Sequence, residues 1–133
     1  MSDSRTARVP RAKAKVYLNR ATELLKAVDW ALGSSNPDAA AGSAIHGGIA
    51  AADAFVIFFH GLRSKGTDHH EAIGLVRRCS SPRSDDVARH LQQLLDRKNE
   101  VEYEDREVEM RDARELATHA RRLVDLVRSE FDE

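Results

Sequence analysis

Two polar side chains fall inside the most apolar stretch of the chain, His46 and Asp53, between Ala44 and Phe59. An unpartnered carboxylate in such a setting is costly, so Asp53 is expected to hold an arginine or a backbone amide. His46 lies seven residues earlier, two helical turns away, so the two would share a helix face. The plain reading makes both polar core contacts; the sharper one has Asp53 orienting Arg97 or Tyr103 at a functional cleft. Arg97, Asn99, Tyr103 and Arg106 form a second candidate group. Arginine's planar fork suits bidentate phosphate contacts, and a tyrosine stacks on a base or donates a hydrogen bond. Glu100, Glu102, Glu104, Asp105, Glu107 and Glu109 are interleaved with them. So many carboxylates repel phosphate, which leaves either a narrow pocket or a solvated linker over Glu100 to Arg111.

Other chemistries find little support. His60, Asp68, His69 and His70 are close in sequence, but adjacent helical residues point about 100° apart and do not converge. There is no His-Glu-x-x-His motif and no paired cysteine, so neither a metal nor another cofactor is expected. Gly42 to Gly48 lacks the Lys-Ser/Thr ending of a phosphate loop, and no Ser-His-Asp order or nucleophile elbow stands out. Cys79 is the single cysteine, which excludes an internal disulfide and fits a reducing cytoplasm. Met1 to Pro10 has no apolar signal core. The apolar run Ile49 to Phe59 is shorter than a bilayer span and contains Asp53, so a core helix rather than a membrane segment is expected.

The elements that must position these residues are helical. The chain has 133 residues, a formal net charge of -1, 41% hydrophobic and 5% aromatic residues, and few glycines and prolines, which suits one helical domain. Residues 1–10 read as a polar, frayed tail, and 11–133 as the domain. A first helix is predicted from about Pro10 to Leu32, with an apolar stripe of Tyr17, Ala21, Leu24, Leu25, Val28 and Leu32 and with Gly33 as its C-terminal cap. A second, apolar nearly all round and therefore surrounded, spans Pro37 to His60, and Gly47-Gly48 would permit a close crossing. Asp68 and Glu71 resemble a capping box opening a short helix to about Cys79. Ser84 reads as the N-cap of a fourth helix, with Val87, Leu91, Leu94, Leu95 and the stem of Lys98 on one face. The last helix, Met110 to Phe131, places Ala113, Leu116, Ala117, Ala120, Leu123, Val124 and Val127 at helical spacing.

Three stretches carry a family resemblance: Tyr17-Leu18-Asn19-Arg20-Ala21, Ala44-Ile45-His46 through Asp53-Ala54, and Arg97-Lys98-Asn99-Glu100-Val101-Glu102-Tyr103 followed by Asp112-Ala113. In their order and spacing the chain resembles the HEPN family (higher eukaryotes and prokaryotes nucleotide-binding). The resemblance implies an all-α, antiparallel up-down four-helix bundle with an additional short helix, assembled as a homodimer. It also implies a place in a prokaryotic toxin–antitoxin or defence system, with an antitoxin or nucleotidyltransferase as partner and RNA or a nucleotide as ligand. Active nucleases of the family cut RNA without a metal through an Arg-x4–6-His motif at the dimer cleft. Here Glu102, Tyr103 and Glu104 stand where the histidine would follow Arg97. The implied function is therefore a nucleotide-, RNA- or partner-binding module with a degenerate nuclease motif. The alternative is an RNase acting through Arg97 and a non-standard proton carrier, Tyr103. Arg114 with His119 and Arg83 with His90 fit the spacing formally, and both read as accidents of an Arg-rich chain.

Overall fold

In a computed structural model the described residues are 5–65, 69–103 and 107–132. Among them are five α-helices: α1 (Ala14–Gly33), α2 (Pro37–His60), α3 (His69–Arg77), α4 (Ser84–Tyr103) and α5 (Met110–Phe131). The protein is thus mostly helical, as its composition predicts.

The second helix runs between the residues expected. Pro37 occupies its first turn, where a missing N–H costs nothing, and Asp38 adds a favourable negative charge there. Gly61 ends it in the left-handed conformation, at φ 65°, and its N–H reaches the Ile57 carbonyl at 2.9 Å. By length and composition α2 meets the requirements of a membrane span. In the fold it packs against α1, α4 and α5 and also touches α3. Gly48 makes the α4 contact possible: a Cβ built there would lie 2.2 Å from Leu94 Cδ1, and Leu94 is fully buried.

α1 and α2 are joined by only three residues and form a helical hairpin. The turn differs from expectation. Gly33 continues α1, and the left-handed position falls on Ser35, at φ 57°. The following Asn36 N–H then reaches back to the Ala31 carbonyl at 2.8 Å, satisfying an end-of-helix acceptor. The face α1 buries is also rotated slightly, to Ala14, Leu18, Ala21, Val28 and Ala31, with Tyr17, Leu25 and Leu32 packed at its margin. On α5 all seven stripe residues are buried.

Residues 6–8 overturn the expectation of a frayed N-terminal tail. Thr6–Arg8 form strand β1, antiparallel to β2 (Leu62–Ser64), with Ala7 opposite Arg63. Val9 N–H also bonds the Gly61 carbonyl at 2.9 Å, so the N-terminal segment is tied to the end of α2. Three-residue strands carry too little alternation to be read from sequence. The predicted capping box at Asp68 lies outside the described residues. Ser84 is not the expected side-chain cap either: it begins α4, and its hydroxyl donates to the Cys79 carbonyl at 2.6 Å.

Candidate ligand-binding site

Asp53 on α2 opens into a cavity of about 210 Å³. Its apolar walls include Ile49 and Val56 of α2, Leu75 and Val76 of α3, and Leu91 and Leu95 of α4. Its polar groups come from elsewhere in the chain. Arg63, Ser64 and Lys65 arrive on and just after β2, His69 begins α3, and Lys98 lies on α4. The Arg63 guanidinium is steadied by donating to the Ser64 carbonyl at 3.1 Å. Among the described residues the buried Ser64 hydroxyl oxygen has no hydrogen-bond partner. The cavity therefore offers an apolar interior, three cations, a carboxyl and an unmatched hydroxyl.

Burial pushes the Asp53 carboxyl up to about 7, while the positive charges of Arg63 and then Arg20 pull it down. The predicted arginine partnership thus acts through charge at a distance, since no ion pair within 4 Å holds Asp53 among the described residues. Near neutral pH both protonation states are accessible, so Asp53 either donates or accepts a hydrogen bond.

A second, more open hollow of about 260 Å³ shares Ile49, Asp53 and Arg63 with the first and is also lined by Tyr17, Arg20 and His46. His46 and Asp53 thus do share a face. His46 is not a core residue, however: its side chain is 54% exposed, and its Nε2 meets Glu102 Oε1 at 2.9 Å. That contact ties α2 to the last turn of α4, where the sequence suggested a solvated linker.

The other predicted residues do not converge on Asp53. Arg97 turns to Glu100, Nε to Oε2 at 2.6 Å, and to Asp112, Nη2 to Oδ1 at 3.4 Å. Burial opposes the charge of this guanidinium, but Glu100 and then Asp112 outweigh it and raise its pKa. Asn99 is exposed. Arg106 lies outside the described residues, and for Tyr103 only the backbone, at the end of α4, is described.

Arg97 instead belongs to a polar ladder along the α4–α5 seam. Arg83, just before α4, and His90 and Arg97 on α4 follow one another at seven-residue spacing. They meet Glu130, His119 and Asp112 on α5, which runs the other way. The formal Arg83–His90 pair is therefore two rungs of this ladder. Arg114 is exposed, while His119 turns to His90, so the formal Arg114–His119 pair is not brought together by this ladder.

Sequence reading missed Arg63, Ser64, Lys65 and Lys98 as site residues and set His69 aside. The signal was an Arg-Ser-Lys run just beyond Gly61, the residue that ends the helix bearing Asp53. Cys79 has no place in this chemistry: burial, with the Glu130 charge, pushes its thiol up to about 12, and inert thiols are those held protonated. No protein-family model, no curated protein and no solved structure matches the chain.

Proposed function

We propose that the protein is an HEPN-like binding module whose site is the Asp53 cavity and whose ligand is a nucleotide or a similarly built anionic heterocycle. The observation that carries this reading is the gathering of Arg63, Lys65 and Lys98 around a cavity with apolar walls that contains Asp53. A planar base gains from apolar walls. Its ring nitrogens suit a carboxyl that either donates or accepts and a free serine hydroxyl, and its phosphate suits the cations. The setting that goes with this reading is a homodimer in a toxin–antitoxin or defence system, with an antitoxin or nucleotidyltransferase as partner, and it rests on the family resemblance.

Metal-independent RNA cleavage through Arg97 has less in its favour. A guanidinium already committed to two carboxylates is a poor clamp for a scissile phosphate.

Isothermal titration of the purified protein with AMP, ATP, GTP and a short single-stranded RNA tests the proposal. Saturable binding of a mononucleotide is expected, weakened about tenfold or more by Arg63→Ala or Lys98→Ala, since a charge-assisted hydrogen bond is worth about 1.5–3 kcal/mol. The reading fails if no nucleotide binds, or if both variants bind as tightly as the parent. Cleavage of the RNA in EDTA that vanishes in Arg97→Ala would establish the nuclease instead.

A further inference from the structure

The middle rung of the ladder differs from its neighbours because both of its members titrate. Nδ1 of His90 and Nδ1 of His119 lie 3.0 Å apart. The ring centroids are 5.2 Å apart, close to the greatest separation that such an Nδ1 distance allows. The rings therefore point at one another nearly end to end. Their lone pairs face along the line between them and do not converge on a third point, so the arrangement is that of a hydrogen bond rather than a chelate. With both rings neutral, one Nδ1–H donates and the other Nδ1 accepts. One added proton preserves the bond, because an imidazolium donates to a neutral imidazole. A second proton leaves two donors and two positive charges in contact.

We infer that His90 and His119 form a pH-sensitive clasp between α4 and α5, closed while the pair carries at most one extra proton and forced open when both rings are charged. The surrounding charges favour this. From α4 the pair is faced by Asp86 and Arg89, and from α5 by Glu115 and Arg122. Arg89 Nη2 is 3.0 Å from Asp86 Oδ1, so that carboxylate is already shared. Arg89 and Arg122 oppose protonation of both histidines, Asp86 favours it at His90, and Glu115 favours it at His119.

The direction of the pH response follows. Burial first, then His119, Arg89 and Arg122, lower the pKa of His90. Burial likewise lowers that of His119, with Glu115 opposing and Arg122 and Arg89 adding to the effect. The unfolded chain takes up these protons near the ordinary value of 6.5, and the folded chain does so only at lower pH. Stability from the clasp is therefore complete above about 6.5 and is lost as pH falls below it.

Two measurements on the full chain test the clasp. In the first, ¹⁵N-detected titration of the wild-type imidazoles is expected to show two coupled steps, both below the ordinary histidine value. In the second, hydrogen exchange, corrected for intrinsic pH dependence, compares pH 7.5 with pH 5. Amides of α4 and α5 should lose protection by about tenfold or more on acidification while those buried in the α1–α2 hairpin change less. His119→Gln and His90→Gln should each remove most of that difference. Independent titration of the two rings at their ordinary value overturns the inference, as does a wild-type pH response that both variants retain. The titration needs no variant, so the outcome stands even if a glutamine chain folds poorly.

Discussion

Arg97 shows how residue type and surroundings can point in different directions. Its type suggests phosphate recognition, yet its guanidinium is 26% exposed and bridges Glu100 to Asp112. Its work is to join α4 to the start of α5. Removing it should therefore cost stability, by about 1–2 kcal/mol for an ion pair between the exposed and buried extremes. Urea unfolding of Arg97→Ala should show a lower midpoint, while titration shows nucleotide affinity close to that of the parent. At this scale Asp53 was legible, because a carboxylate amid Ala, Ile and Phe demands an explanation. Arg63, Ser64 and Lys65 were not, because ordinary polar residues in a connecting segment look the same whether they face solvent or a cavity. Only the pairing of β2 with β1 and the placement of α3 bring them to the wall of the cavity.

Helices were the most legible elements. The bounds of α2 and α5 follow from Pro37, Gly61 and an unbroken 3.6-residue stripe, and the structure reproduces them. Connections were less so: the left-handed residue after α1 fell on Ser35 rather than a glycine, and Ser84 bonded backward to Cys79 instead of capping forward. Such choices are set by where the next helix must go, which local sequence does not encode. The close α2–α4 crossing, in contrast, was foreshadowed by Gly47-Gly48. A methyl group at Gly48 would strike Leu94, which has no exposed surface to retreat to. Gly48→Ala is therefore expected to destabilise the protein by about 1–3 kcal/mol, the usual cost of overpacking, despite alanine's better helix propensity. Gly42→Ala, where nothing lies within 4 Å, is the control and should be neutral or stabilising. Chemical denaturation of the two variants side by side distinguishes a packing effect from a backbone effect.

At the scale of the whole molecule, Asp53 and the His90–His119 pair pull the pH profile in opposite directions. Asp53 has a folded pKa raised to about 7 from 3.8. The folded state thus binds its proton more readily than the unfolded state, and stability is gained as pH falls from about 7 towards 3.8. The histidine pair loses stability over the upper part of the same range. The wild-type profile between pH 7 and 5 should accordingly be flatter than either contribution alone. Asp53→Asn removes the gain, so its thermal midpoint should fall more steeply on acidification than that of the parent. A variant profile parallel to the wild type's would show that Asp53 does not titrate in this range. Sequence could supply the two residue types but not this opposition, since the sign depends on burial and on which charges lie nearby.

The ladder along α4 and α5 also carries information about alignment. In the observed setting arginine meets carboxylate at both outer rungs and histidine meets histidine between them. Slide α5 by one heptad and Arg97 would confront His119, His90 would confront Leu126, and Asp112 would lose its cation. Under that slip Ala113, Leu116, Ala117 and Ala120 of the α5 stripe would be replaced by Ala120, Leu123, Val124 and Val127, whereas every polar rung would be broken. Leu and Val hold the two helices together, and the rungs determine which residues of one face which residues of the other.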